Sequence, residues 1–516
     1  MRFYQLGEFP QPGETRDELQ YPWAGITLLN TGTPTSWSYF DSYENRQSIQ
    51  FGKQEFRLVT PWFDKPLLYP LITGTWMKLN GINSIFDVNF FTLRLVPLGL
   101  SVITLLLIAT ITKRAFDQNI ALLATLLYAT IPSIVFANRL SLTENLLTPL
   151  VLTSIFFIQL SLKLGIMKGG THEGSQTESH SVVPARIGGY YARSLGHARD
   201  TLPAKLVRIP LFKAILLGIL SGLAFHTKQT GIVIALFVIG FYFWQRRLKE
   251  LVITSAVFAL FVVLHFAIVT RYDLKLYLNV MSDFRHGHTL VGLPELPFAL
   301  FRFQGIGQQD RPFLDGSLLL GYLFLFTLPW WQHKQRVHAT SSWKGNDLDR
   351  ISKDAISTGW RIQHDERPTH FLHSTMIIFA PAFLYLLLLS IVESGATLFS
   401  FFGWHIYPLF PFVAIALAVG LYRAWQDQGI LQFGVLFFFL GVSSIRLLFL
   451  LLPTTWHYRW QYGLIPLLMF MGIIQLAPDK LKQLGIKFLF GAYLGVNILT
   501  VLYASSWFPK LELPLF

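Results

Sequence analysis

Along the chain, hydrophobic and polar positions sort into apolar runs of roughly twenty residues separated by short polar breaks. A run of that length is enough for a helix to cross about 30 Å of hydrocarbon, and in lipid a lone segment satisfies its backbone polar groups only as a helix. The pattern predicts spans over 91–112, 118–137, 143–163, 211–226, 229–245, 250–270, 313–332, 372–392, 405–422, 430–452, 460–476 and 486–506. No strand pattern is evident. Residues 1–90 differ from the rest, being acidic and aromatic by turns, with no stretch long enough to cross. The expected class is an all-α polytopic membrane protein with a long first loop.

Composition agrees with this class and adds an orientation. Hydrophobic residues make up 52% of the chain and charged residues 14%. The net charge of +13 comes from 42 Lys and Arg against 29 Asp and Glu. In a soluble chain that excess would suggest nucleic acid. Here most of it lies in alternate connections: "TKRAFDQ" (112–118), 164–210, "QRRLKE" (245–250), 333–371, "RAWQDQ" (423–428) and "PDKLKQLGIK" (478–487). Cation-rich loops mark the cytoplasmic side. The outer face then holds 1–90, 138–142, 271–312, 393–404 and the neighbourhood of 453–459.

The expected organisation is an outer loop with interfacial helices over 1–90 and a first transmembrane module over 91–163. A flexible cytoplasmic linker at 164–210 follows, then the remaining spans over 211–516. The last part carries polar loops at 271–312 (outer) and 333–371 (cytoplasmic). The opening "MRFYQLGEFPQPGETRDE" has no apolar core of a signal peptide. With 1–90 outside, a transmembrane helix ahead of this chain is expected. The absence of cysteine rules out disulfides and thiolate-bound metals, and points to a prokaryotic plasma (inner) membrane.

The candidate chemistry gathers on the outer side. "TRDELQYPW" carries Asp17 and Glu18, and "VTPWFDKPLLYPLITGTWMKLNG" carries Asp64 and Lys65 ahead of an interfacial stretch at 66–79. Arg94 opens the first span. "FANRLSLTENLL" sets Arg139 and Glu144 about one helix start, "LAFHTKQTG" holds His226 and Lys228, and "FGWHIYPLFPF" holds His405 and Tyr407. Ionisable groups at membrane depth are costly and usually mark a substrate path. Each also has a plainer role open to it: Arg94 and Lys228 as cations snorkelling to headgroups, Glu144 as a structural partner of Arg139. His286 and His288 of "FRHGH" lack a third ligand, so no metal site is assigned. No cofactor is named with certainty, and a divalent metal is left open. There is no glycine-rich phosphate loop, and an outward-facing enzyme would need a membrane-borne donor.

The order of these pieces carries a resemblance. An acidic pair, "WFDKPLLYP" and an interfacial helix, an arginine-led span, "RLSLTE", "GLAFHTKQTG" and "WHIYPLFPFVAIALA" together resemble the C-type (GT-C) glycosyltransferases. The nearest branch is glycosyltransferase family 39, the protein O-mannosyltransferases and the aminoarabinose transferases of lipid A. The resemblance implies a bundle of about twelve visible transmembrane helices, with a first helix missing. It implies an enzyme that moves a sugar from a polyprenyl-phosphate carrier to an acceptor on the periplasmic or extracellular face. Asp17 matches the family's first-loop catalytic acid and Glu18 its acidic neighbour. Lys65 matches the lysine that contacts the carrier phosphate, with Asp64 beside it. Glu144 falls where the family usually has aspartate, a departure that leaves its role open.

Transfer needs a base for the acceptor hydroxyl, for which Asp17 is chosen, and fixed cations for the leaving phosphate. Lys65 leads the cations, ahead of Arg94, Arg139 and Lys228; His405 and Tyr407 complete the expected substrate-binding set. The expected partners are the lipid-linked donor and membrane lipids, with the acceptor unspecified and nucleic acid excluded. A transporter or flippase for a lipid-linked or small substrate is the alternative, followed by a ligase of lipid-linked glycans and a non-enzymatic scaffold. The gathering of polar residues at one face, without internal repeats, favours the enzyme.

Overall fold

Two buried arginines fasten the first segment of the chain to the membrane helices. They belong to a chain whose computed structural model describes residues 2–10, 15, 17–51, 54–169, 211–286, 316–328, 367–392, 403–427, 462–507 and a few positions between 434 and 459. Most of the expected linker at 164–210, most of 333–371, most of the expected span 430–452 and the side chains of His286 and His288 lie outside the described residues.

The first segment forms α1 (Asp17–Thr31), β1 (Ser36–Trp37), β2 (Gln47–Phe51), β3 (Gln54–Val59), α2 (Leu68–Leu79) and a 3-10 turn at Ile85–Asp87. Next come α3 (Phe90–Ala115), α4 (Gln118–Thr130), α5 (Pro132–Ala137), α6 (Glu144–Gly169) and α7 (Leu211–Thr227). They are followed by α8 (Ile232–Trp244), α9 (Leu248–Tyr272), α10 (Leu274–His286) and α11 (Gly316–Leu328). Last are α12 (Arg367–Val392), a 3-10 segment at Gly403–Leu409, α13 (Phe410–Asp427), α14 (Leu464–Leu476) and α15 (Asp479–Trp507). Side-chain caps fix two of the starts: Asn89 accepts from the Phe91 amide at 2.8 Å, and Asp117 from the Ile120 amide at 2.8 Å. Among the described residues, five helices are long and apolar enough to cross a membrane, and shorter apolar helices accompany them. Exposed Leu106, Val252, Leu260 and Phe488 give α3, α9 and α15 the apolar outer surfaces that lipid requires.

The structure differs from the sequence reading in four places. The expected span 118–137 is two helices, α4 and α5, because Ile131 is extended (φ −61°, ψ 118°) ahead of Pro132. The expected outer loop at 271–312 begins with helix α10, and α15 starts at Asp479, inside the expected connection 478–487. Finally, the first loop contains a small antiparallel sheet in the order β1-β3-β2, with Trp37 opposite Leu58 and Ile49 opposite Phe56. Its strands are short and β2 is mostly exposed, so the period-two signal in "QSIQF" and "QEFRLV" is weak. The sheet is anchored where Trp37 and Phe56 meet Leu19, Trp23 and Ile85 in a small aromatic core against α1.

α1 and α2 touch backbone to backbone. A β-carbon on Gly25 would overlap the Pro70 carbonyl, and one on Gly74 would overlap the Gly25 backbone. This close approach draws the segment before α2, with Asp64 and Lys65, alongside α1.

The fastening runs through Arg94 and Arg139, both fully buried. Arg94 donates from Nε to Glu18 Oε1 at 2.7 Å and from Nη2 to Glu18 Oε2 at 2.8 Å. Its Nη1 donates to the carbonyls of Leu6 (3.0 Å) and Pro10 (2.7 Å). Arg139 donates to the carbonyls of Arg2 (3.1 Å) and Phe9 (3.0 Å), while Arg2 itself donates to Tyr128 O at 2.7 Å. Residues 2–10 are thus a strap across the N-terminal end of α3 and the C-terminal end of α5, with the Phe9 ring 4.9 Å from that of Phe136. Neither arginine merely snorkels.

Two stability outcomes follow. Arg94→Ala should cost about 3–5 kcal/mol, because it leaves the Glu18 carboxylate buried and unpaired; thermal unfolding of the detergent-solubilised protein reads this. Gly74→Val should cost about 1–3 kcal/mol by forcing α1 and α2 apart, with Gly99→Ala, at an open position, as the mild control.

Candidate active site

Asp17 is the first residue of α1, and its amide donates to Thr15 Oγ1 at 3.3 Å. A helix N-terminus favours a carboxylate, and this one is partly exposed among charged neighbours from other parts of the chain. Burial pushes the Asp17 carboxyl up to about 6; Lys65 opposes that, Glu144 adds to it, and Lys228 opposes it. Four charged side chains from α1, the segment before α2, α6 and the α7–α8 turn therefore act on one another. Glu18, the next residue, turns to Arg94 instead, and its Oε1 also accepts from the Ser141 amide at 3.1 Å. The two carboxylates grouped as catalytic in the sequence reading thus have different surroundings: Glu18 is closed in an ion pair, and Asp17 faces the cluster.

Lys65 is partly exposed, while Asp64 beside it is buried. The Asp64 carboxylate accepts from Tyr43 OH (2.9 Å), Ser38 Oγ (3.1 Å) and Gln20 Nε2 (3.2 Å). Burial raises its pKa to about 7 against the pull of Ser38, Tyr43 and Lys65. Gln20 lies on α1, and its amide nitrogen also donates to Trp37 O at 2.8 Å. Asp64 is therefore the knot that ties α1 and the sheet to the segment carrying Lys65, and Tyr43 extends it by accepting from the Phe63 amide at 2.8 Å.

Glu144 begins α6 and pairs with Lys228, Nζ to Oε1 at 2.8 Å, both side chains 2% exposed. The sequence reading offered Arg139 as its partner; the structure gives Arg139 to the strap. Thr143 Oγ1 donates to the other oxygen, Glu144 Oε2, at 3.0 Å. His405 enters because the 3-10 segment Gly403–Leu409 packs on α6, bringing the imidazole within electrostatic reach of Glu144. The His405 carbonyl accepts from Tyr385 OH at 2.8 Å. Tyr407 is buried, its ring 5.3 Å from that of Phe410.

The structure thus brings together Asp17, Asp64, Lys65, Glu144, Lys228 and His405, sets Glu18, Arg94 and Arg139 behind α1, and puts Tyr407 in the core. Sequence reasoning missed Tyr21 and Tyr69, whose rings meet edge to face at 5.4 Å beside the cluster. Burial and the nearby carboxylates hold the Tyr21 phenol well above its ordinary pKa, so it stays a hydrogen-bond donor. Tyr21 lies four residues after Asp17 on one helix face, a spacing that could have revealed it. Tyr69 OH and Ser141 Oγ share a hydrogen bond of 3.0 Å, a long-range contact with no local signal. Among the described residues, no group of three or more His, Asp and Glu could hold a metal ion.

Chemically, the site offers a carboxylate near neutrality, a lysine beside it, and a second carboxylate already matched by a cation. That set suits proton removal from a hydroxyl next to a leaving anion.

Comparison with known proteins covers part of this site, Asp64, Lys65, Glu144 and Lys228, and leaves Asp17 and His405 outside the matched ranges. Residues 64–168 match the family model of dolichyl-phosphate-mannose-protein mannosyltransferase, and residues 201–343 match that of glycosyltransferase family 87. No curated protein matches the chain by sequence. Among solved structures, ArnT from Cupriavidus metallidurans bound to undecaprenyl phosphate is similar at 13% identity and TM-score 0.46, covering 98% of this chain and 75% of that one. The archaeal oligosaccharyltransferase AglB from Archaeoglobus fulgidus is similar at 13% identity and TM-score 0.39, covering 80% of this chain and 48% of that one. Two glycosyltransferase models, matched in succession along a multi-pass helical chain, support its assignment to the C-type glycosyltransferase superfamily.

Proposed function

We propose that this membrane glycosyltransferase takes a sugar from a polyprenyl-phosphate carrier and transfers it, with inversion, to a hydroxyl or similar acceptor on the outer face of the plasma membrane. The observation that supports this reading is the packing of α1, which begins at Asp17, on α2, which follows Lys65, so that the lysine acts on the Asp17 carboxyl. A family model for transfer from dolichyl-phosphate-mannose matches from Asp64 onward.

In this reading Asp17 takes the acceptor's proton as its oxygen attacks the anomeric carbon. The bond to the carrier oxygen breaks, and the phosphate leaves with the bonding electrons. Lys65 meets the charge that grows on that phosphate. Charge removal on the leaving side needs no strong acid, because a phosphate is already a good leaving group. Gathering of the charged groups around one base and one cation, in a first loop laid over the spans, favours an enzyme over a transporter.

The test uses membranes containing the protein, radiolabelled polyprenyl-phosphate sugar and an acceptor. Asp17→Asn should cut the release of carrier phosphate by about 10²–10⁴-fold, the usual worth of a general base. Unchanged release would remove Asp17 from the chemistry, and solute uptake by proteoliposomes without transfer would favour a transporter. Lys65→Met should slow release at saturating donor, since the lysine acts on charge that develops in the transition state.

The pH dependence has a definite sign. The carboxyl of Asp17 is raised from 3.8 to about 6. As a base it works only when ionised, so kcat/KM should rise with pH through about 6 and level off above. Folding runs the other way: the stability contributed by the protonated Asp17 is full below its unfolded value and is lost as pH rises through about 6.

A further inference from the structure

The second carboxylate of the site raises a problem that the reaction scheme does not use. Two ionised carboxylates that act on each other oppose each other's charge, and one then resists ionising. The groups facing Asp17 are Lys65 and Asp64 from the segment before α2, Glu144 from α6, Lys228 from the α7–α8 turn and Tyr21 from α1 itself. Glu18 is matched by Arg94, and His405 acts on Glu144 from the 3-10 segment.

We propose that Lys228 is a positioning residue for the transfer, holding Glu144 in a closed ion pair that keeps its carboxylate from replacing Asp17 as the base and offsets its charge there. The proposal rests on the reading of Asp17 given above.

Geometry supports it from both partners. The pair is short, at 2.8 Å, and both side chains are almost wholly buried. Both oxygens of Glu144 are engaged, one by Lys228 and the other by Thr143 Oγ1 at 3.0 Å. A carboxylate held so is a poor acceptor for a substrate proton. The lysine is fixed by its backbone as well: its amide donates to Ala224 O at 3.1 Å, and its carbonyl accepts from the Gly231 amide at 2.8 Å. It is set in a turn whose glycine cannot take a β-carbon without overlapping the Ala224 carbonyl. The pair also joins α6 to the α7–α8 turn across 84 positions of sequence, so it fixes the distance between two walls of the site. Glutamate at 144 has a consequence here. Aspartate would draw the carboxylate back by one carbon–carbon bond, about 1.5 Å, and open the pair.

The readout is the acidic limb of the kcat/KM profile for carrier-phosphate release, which a purely structural pair would leave in place. Lys228→Met leaves an uncompensated Glu144 beside Asp17 and should move the limb to higher pH by about one unit, the scale of a nearby charge. Glu144→Gln removes the opposing charge and should move it to lower pH. The double variant should return it toward the unmodified enzyme, and Lys228→Arg, which keeps the charge, should stay there too. If Lys228→Met does not fold, Glu144→Gln and Lys228→Arg still give opposite expectations: one limb shifted, one not.

Two results would overturn the proposal. One is a limb that stays put in Glu144→Gln while the rate falls, which makes the pair structural only. The other is a loss in Glu144→Gln as deep as that of Asp17→Asn at every pH, which makes Glu144 itself the base. Failure of the underlying reading looks different: Asp17→Asn would then keep both its rate and its limb.

Discussion

Charge within a membrane protein has to be matched where water cannot reach it, and the first ninety residues and the helix ends they meet are arranged around that requirement. An isolated buried charge costs several kcal/mol even after the surroundings relax. Arg94 is met by Glu18 and by the carbonyls of Leu6 and Pro10. Arg139 is met by the carbonyls of Arg2 and Phe9, and Lys228 by Glu144. Asp17 and Lys65 are both partly exposed, and the lysine acts on the Asp17 carboxyl.

The architecture that achieves this is local at some points and long-range at others. Close backbone contact at Gly25 and Gly74 lays α2 on α1, and the Asp64 network ties the intervening sheet to both. The strap at 2–10 then joins α1 to the first membrane helices through Arg94 and Arg139. Such a layout holds the first residue of α1 between elements that begin the transmembrane bundle, α3 and α6. Burial at Asp17 makes its carboxyl easier to protonate, so the folded state loses stability there as pH rises through about 6.

Much of the bundle is legible in the order of residues, because a twenty-residue apolar run has one stable form in lipid. α3, α9 and α12 lie where the pattern put them. The break at Pro132 could have been read from the proline itself, which disfavours helix at the residue before it. The sheet could not be read with ease, since its strands are short and β2 is largely exposed. Partners across long separations had no local trace: Arg94 with Glu18, Arg139 with the strap, Lys228 with Glu144. A residue's type predicted that it would need a partner, and only the fold says which. Tyr69 and Ser38 were invisible for the same reason, as neutral groups that matter through what they touch.

The most direct measurement of the central claim is a structure of the protein with a polyprenyl-phosphate sugar bound, obtained with an inert acceptor analogue. The account predicts a phosphate oxygen within hydrogen-bond distance of Lys65 Nζ, about 3 Å, and the Asp17 carboxylate on the opposite side of the anomeric carbon, facing the acceptor. A phosphate held away from Lys65, or an anomeric carbon out of reach of Asp17, would contradict it.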